Sequence, residues 1–253
     1  MKNHSTAQIV RPQDHVEVKP VRINKTVIYG ERCSGTNFLE TLISANFETV
    51  ITHDFGWKHF FGFENSKIAS AEDVLFICIV RDPVKWVNSF CRSMHHSPVK
   101  EMEITDAEKV ARLLFYEHWS VNESKLVNGK PEERPEDHNI YTGKRYKNIV
   151  EMRSVKLRWM LQDLPKLTKN LLLINYEDLA KDSVPFLNKI EAAGVALKTG
   201  KIVQKRVLGY KKTWFPFFFH KARVKPDFVS ADFIWNHPDL DKTLENQLGY
   251  RKD

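Results

Sequence analysis

The chain has 253 residues, 42% of them apolar and 28% charged, which is enough to bury one full hydrophobic core and too apolar for a disordered chain. Ten Gly and eleven Pro exclude a fibrous repeat, and no apolar run reaches the ~18–20 residues of a membrane-spanning helix. Thirty-nine Lys plus Arg against thirty-two Asp plus Glu leave a net charge of +7, which favours anionic partners: nucleotides, nucleic acid, acidic glycans or a membrane surface.

Residues 1 to about 24 are polar, hold two Pro and show no periodicity, so a flexible leader is expected there. They contain no apolar block followed by small residues, as a secretory signal would. The three cysteines, Cys33, Cys78 and Cys91, are too sparse for a disulfide framework and fit a reduced, cytoplasmic protein. No C-x-x-C or H-x-x-x-H spacing suggests a metal site.

Thr26–Gly30 (TVIYG) is β-branched and aromatic and ends in Gly, predicting a short buried strand. After a loop at Glu31–Gly35, Phe38, Leu39, Leu42, Ile43 and Phe47 follow helical spacing. Val50–Thr52 predicts a second strand. Val74–Val80 (VLFICIV) is apolar on both faces, as a strand inside a helix-covered parallel sheet must be. Asp82-Pro83 then supplies an N-cap and an N1 proline for a helix burying Trp86, Val87 and Phe90.

Further on, Asp106–Leu126 reads as a helix with Val110, Leu113, Leu114 and Trp119 inward, and Asn128–Asn139 as an exposed loop. Ile149–Leu164 predicts an amphipathic helix stopped by Pro165. Leu171–Asn175 predicts another buried strand, followed by Tyr176-Glu177-Asp178-Leu179 and a helix to Gly194. The tail carries an aromatic run, Trp214–Phe219, and a last helix around Asp239–Leu248. Recurring strand–loop–helix units imply an α/β fold with a central parallel sheet flanked by helices. With no internal repeat or change of composition, residues 25–253 are expected to form one domain, with an insertion near 95–146.

Gly30-Glu31-Arg32-Cys33-Ser34-Gly35-Thr36 sits between a strand and a helix, where backbone amides and a helix N-terminus suit an anion. Its Gly-x-x-x-x-Gly spacing equals that of an NTPase phosphate loop, but Thr36 stands where that motif requires Lys, which disfavours an ATP or GTP hydrolase. The alternative is an ordinary turn. At the carboxyl end of the Val74–Val80 strand, Arg81 lies where open α/β sheets bind ligands, and Ser89 follows eight positions later with a hydroxyl. Here the alternative is an arginine paired to a carboxylate.

Together, Ser34-Gly35-Thr36, the Arg81/Ser89 pair and Tyr176-Glu177-Asp178-Leu179, in that order, resemble the P-loop sulfotransferase superfamily. The resemblance implies a P-loop-type three-layer fold and a donor, 3′-phosphoadenosine 5′-phosphosulfate (PAPS), from which a sulfuryl group moves to a hydroxyl or amine of a glycan or small molecule without a metal. It implies donor contacts from Arg32, Cys33, Ser34, Gly35, Thr36 and Asn37, with Arg32 standing in for the basic residue that the family carries where this chain has Cys33. Arg81 and Ser89 would hold the 3′-phosphate, and the Tyr-Glu-Asp-Leu segment would be structural. The catalytic base in this family is His or Glu between the two donor elements; His59 is the first candidate, with His53 and Glu40 as alternatives, and Lys58 would neutralise the leaving group.

Arg153 and Lys156, at i, i+3 spacing with Arg145 upstream, are expected either to meet donor or acceptor or to form a solvated basic face. Lys211 and Lys212, after Arg206 and before the aromatic run, are a loose counterpart of the family's basic C-terminal loop. Residues 95–146 and the tail are expected to shape the acceptor pocket. Two other classes compete: a kinase-like P-loop enzyme, disfavoured by Thr36, and a noncatalytic nucleotide- or nucleic-acid-binding protein, for which no RRM-like aromatic–basic module is present.

Overall fold

The computed structural model describes residues 22–93, 96, 108, 111, 114–116, 118–128, 130–202 and 227–252. The strands among them are β1 (Lys25–Tyr29), β2 (Val50–Ile51), β3 (Val74–Val80), β4 (Val121–Val127), β5 (Lys130–Glu133) and β6 (Leu171–Asn175). The α-helices are α1 (Thr36–Asn46), α2 (Asn65–Ala69), α3 (Pro83–Ser93), α4 (Ile149–Arg158), α5 (Leu164–Leu167), α6 (Tyr176–Lys181), α7 (Val184–Ala192), α8 (Ala231–Trp235) and α9 (Lys242–Gln247). No helix among the described residues is long and apolar enough to cross a membrane.

β2, β1, β3 and β6, in that order, form a four-stranded parallel sheet. Its register pairs Tyr29 with Cys78, Cys78 with Leu173, and Val80 with Asn175. Successive side chains on a strand point to opposite faces, and both faces here are apolar. Val27, Tyr29, Phe76, Cys78 and Val80 pack against Trp86 and Phe90 of α3 and Met152 of α4. Ile28, Leu75, Ile77 and Ile79 face Leu39, Leu42 and Ile43 of α1 and Phe186, Leu187 and Ile190 of α7. The α/β architecture, with a parallel sheet between helices, is as expected from the alternating elements.

From β1 the chain moves to one side, to β2, and then crosses to the other side, to β3, so the chain leaves the carboxyl ends of β1 and β3 toward opposite faces of the sheet. Ligands of open α/β sheets bind at such switch points. Asp82 Oδ1 accepts from the Lys85 amide at 2.8 Å, so α3 begins with the expected cap directly after Arg81.

Several local expectations are corrected. The predicted helix over Asp106–Leu126 is helical at Glu108, Ala111, Leu114 and Phe115, but Val121–Val127 is strand β4, antiparallel to β5. The stretch expected to be an exposed loop therefore holds β5 and a short 3₁₀ turn at Pro135–Asp137, and Asp137 is fully buried. Pairing between strands wins over the helical spacing, and the Asn128-Gly129 dipeptide, with Asn128 at φ 52°, is the turn signal for the hairpin. Pro165 does not stop the helix it follows. A π-helical turn at Trp159–Asp163 reopens the hydrogen-bond ladder and α5 starts with Pro165 in its first turn, where a missing N–H costs little. The Tyr176-Glu177-Asp178-Leu179 segment, expected to precede one helix to Gly194, is itself helical, as α6, and α7 follows it. Residues 1–21 lie outside the described residues; Ile23 is already buried.

Candidate functional site

The loop after β1 is shaped by its two glycines. A Cβ at Gly30 would lie 2.6 Å from the Ile79 carbonyl oxygen and 2.7 Å from Ser34 Oγ, so only glycine lets β1 run this close to β3. Ser34 closes the turn, its amide and hydroxyl both donating to the Glu31 carbonyl at 3.1 and 2.6 Å. Gly35 has φ 103° at the N-cap of α1, and a Cβ there would stand 2.3 Å from Tyr176 Cδ2. As a glycine it offers no side-chain cap, so the amides at the start of α1 face the crevice without a side-chain acceptor. Thr36 is buried and Asn37 exposed beside them.

Arg81 reaches this loop. Its Nη1 donates to the Cys33 carbonyl at 2.9 Å and its guanidinium lies 4.7 Å above the Tyr176 ring. The sheet register explains the meeting, because Val80 pairs with Asn175 and each strand releases its next residue at the same level. Arg81 Nε is buried without a hydrogen-bond partner. Cys33 adopts a left-handed conformation, φ 67°. Burial pushes its thiol up from the ordinary range, while hydrogen bonds from Ser93 and Ser89 of α3 and the charges of Arg32 and Arg81 pull it back. Ser89 thus lies near Cys33. The segment after β6 is a brace: Glu177 accepts from the Asp82 amide at 3.3 Å and from the Tyr250 hydroxyl at 3.0 Å.

Lys58 and His59 sit on the other side of the loop, where the Gly30 amide donates to the Lys58 carbonyl at 3.0 Å. Lys58 Nζ donates to Asn37 Oδ1 at 2.6 Å and to Glu40 Oε2 at 2.8 Å, placing an ammonium over the first turn of α1. His59 Nδ1 is 2.7 Å from the Gly30 carbonyl and donates to it, leaving Nε2 as the acceptor. Burial lowers the His59 imidazole to about 3, with the cations of Arg32, Lys58 and Lys156 adding to the effect against the Gly30 bond. The ring is therefore neutral near pH 7. His53 stacks on Trp57, ring centroids 4.3 Å apart, and both are exposed.

Arg32 points the other way, into the interior. It pairs with Asp137 at 3.2 Å, donates to Ser120 Oγ at 2.5 Å, and lies over the rings of Phe60 and Phe90. Asp137 also takes Lys156 Nζ and the Ser120 hydroxyl. Lys156 in turn donates to the His59 carbonyl at 2.8 Å and lies 3.5 Å from Glu31. Burial would push the Asp137 carboxyl up, but Lys156 and Arg32 outweigh it and hold the group at about 2. Glu31 is the opposite case: burial raises it, and neither carboxyl oxygen has a hydrogen-bond partner. His118, 3.3 Å from Arg32, is lowered by burial to about 3.

Arg153 is equally interior, bidentate to Glu245 at 2.5 and 2.8 Å and donating to the Arg81 carbonyl at 2.8 Å. Both readings of Arg153 and Lys156, ligand contact and solvated face, are thereby corrected. Their counter-ions are Glu245, 92 positions from Arg153, and Asp137, 19 positions from Lys156. Arg145 pairs with Glu133 and lies 4.2 Å above the Trp119 ring. Lys211, Lys212, Arg206 and the Trp214–Phe219 run lie outside the described residues.

The architecture is that of an α/β protein with a parallel sheet between helices. Comparison of the chain with protein families, with curated proteins and with solved structures finds no match.

Proposed function

We propose that the chain is a P-loop-type sulfotransferase that moves a sulfuryl group from PAPS to a hydroxyl or amine acceptor. The observation that carries the reading is the approach of the Arg81 guanidinium to the Cys33 carbonyl, which joins the loop after β1 and the start of α3 around one crevice. A nucleotide with phosphates at both its 5′ and 3′ positions needs two anion sites of that kind.

In this reading the amides from Gly35 onward and the side chains of Thr36 and Asn37 receive the 5′-phosphosulfate at the uncapped start of α1. Arg81 and Ser89 take the 3′-phosphate. Arg81 would leave the Cys33 carbonyl, a weak acceptor, for a charged one worth roughly 1.5–3 kcal/mol. Lys58 neutralises charge on the bridging oxygen as the S–O bond to the leaving phosphate breaks. Transfer is in line, the acceptor oxygen or nitrogen attacking sulfur opposite that bond. Arg32 drops out of the donor set, and its contribution is to fasten the loop to the interior. His59 keeps the place of a base, with Nε2 unprotonated, but its low proton affinity makes it a weak one until a bound anion offsets the surrounding cations.

Calorimetric titration with adenosine 3′,5′-bisphosphate in the presence of a chelator tests the reading. Tight binding of the bisphosphate, with ATP–Mg much weaker, is expected. Preference for ATP–Mg would favour a kinase-like enzyme, and affinity for neither nucleotide would end the donor assignment.

A further inference from the structure

Behind the loop after β1 lies a buried carboxyl that the proposed transfer does not use. Glu31 is 4% exposed, and neither of its carboxyl oxygens has a hydrogen-bond partner. Its main chain, by contrast, builds the loop, since the Ser34 amide and hydroxyl both donate to the Glu31 carbonyl. Charged and titratable groups face the side chain from every element around it. From α4 come Lys156, with Nζ 3.5 Å away, and Arg153, itself neutralised by Glu245. From the 3₁₀ turn comes Asp137, and from the loop itself Arg32. Tyr146, whose hydroxyl is also buried without a partner, feels the charges of Asp137 and Glu31. His118 lies against Arg32, and Lys156 holds the His59 carbonyl; both rings are neutral near pH 7.

The charges in this cluster do not balance without Glu31. Arg32 and Lys156 share one ionised carboxylate, Asp137. An ionised Glu31 makes the cluster neutral, whereas a protonated one leaves a unit of positive charge behind the amides that start α1. Burial and Asp137 favour the protonated form while Lys156 and Arg32 oppose it, so the group is poised to respond to one further charge.

We propose that anion binding at the loop is coupled to protonation of Glu31: the site takes up a proton with its ligand and binds more tightly as pH falls. The inference rests on the donor site proposed above, whose phosphosulfate would lie a few residues along the same loop. A bound anion stabilises the positive form of the cluster, and by reciprocity the proton strengthens the binding of the anion. The proton comes from solvent and goes to a Glu31 oxygen that no other group occupies, and no bond of the donor changes. Affinity is then highest below the range in which Glu31 ionises and falls as pH rises through it.

The test uses the full chain with adenosine 3′,5′-bisphosphate as probe, titrated calorimetrically from about pH 5.5 to 8.5 in buffers of low and high ionisation enthalpy, which counts the protons exchanged. The phosphates of the probe titrate too, so Glu31→Gln, which fixes the neutral form at nearly the same shape, is the reference. The parent should take up more protons than Glu31→Gln in part of this range, and its affinity should fall with rising pH about fivefold more than that of the variant. His59→Gln should keep the uptake of the parent. Infrared difference spectra of the parent give a readout that needs no variant: bisphosphate, which has no carboxyl, should raise the carbonyl band of a protonated carboxylic acid. Equal proton counts in parent and Glu31→Gln, uptake lost in His59→Gln instead, or no such band overturns the coupling while leaving the donor assignment intact. Failure of the parent chain to bind bisphosphate at all overturns both.

Discussion

Arg32 and Arg81 leave neighbouring strands at the same end of the sheet, yet they belong to different regions. Arg32 is 3% exposed and is held by Asp137, Ser120 and two aromatic rings. Arg81 is half-buried, rests on a backbone carbonyl and a tyrosine face, and keeps an unpartnered Nε. A guanidinium with an ionised partner in the interior has nothing to gain from a ligand, whereas one resting on a neutral carbonyl at a crevice does. The loop after β1 is thus a boundary: its inner face is tied to a buried charge network, and its outer face, beside Arg81, is where the proposed function puts an anion. Stability should follow the first region and nucleotide affinity the second.

The largest effect that would sharpen this contrast comes from Asp137→Ala. It leaves Arg32 and Lys156 without their shared buried carboxylate, and loss of one partner from such a cluster costs about 3–5 kcal/mol. Chemical denaturation measures it. Arg81→Ala should cost about 1 kcal/mol or less in the same experiment, but should weaken bisphosphate binding by roughly 2–3 kcal/mol, or some 30- to 150-fold. A reversal, with Arg81→Ala unfolding the chain and Asp137→Ala emptying the crevice, would break the assignment of the two regions.

Acidification acts most strongly on the two buried histidines. His59 and His118 both have folded values lowered to about 3, against an ordinary value near 6.5. Between these limits the unfolded chain binds protons that the folded chain does not, so each histidine removes about 1.4 kcal/mol of stability per pH unit as pH falls from 6.5 toward 3. Asp137, held at about 2, loses its contribution only as pH falls below the ordinary carboxylate range. Glu31 acts with the opposite sign, because a carboxyl whose proton is held more tightly in the folded state gains stability as it protonates. Melting temperatures from pH 7 to 4 should fall steeply, and His118→Gln should flatten the slope by about half if only the two histidines act.

Why one region was readable in the sequence and the other was not follows from where partners come from. β1, β3 and β6 announce themselves by local apolar runs, and the cap of α3 by Asp82-Pro83. The anion-suited face of the crevice is likewise local, since its glycines, Ser34 and Arg81 lie at strand ends. The buried network is not local. Arg32 meets Ser120 and Asp137, and Arg153 meets Glu245, across 88 to 105 positions, and no spacing rule connects them. Asp137 lies in a stretch so polar that an exposed loop was the natural expectation, and only the Asn128-Gly129 turn signal pointed to the hairpin that carries it inward. Lys58 and Glu40 were both visible as candidates, but their contact is a property of the fold.

The smallest expected effect distinguishes two roles for α3 at the outer face. Ser89 and Ser93 of α3 both offset the effect of burial on the Cys33 thiol, so either could act on the loop by supporting that residue's left-handed backbone. Only Ser89 is assigned a phosphate. Ser89→Ala should therefore weaken bisphosphate binding by about 0.5–1.5 kcal/mol, a two- to twelvefold change, as for one lost neutral hydrogen bond. Ser93→Ala should leave affinity within twofold. Equal losses from both variants in a calorimetric titration would mean that α3 serves the site through Cys33, and the 3′-phosphate would then rest on Arg81 alone.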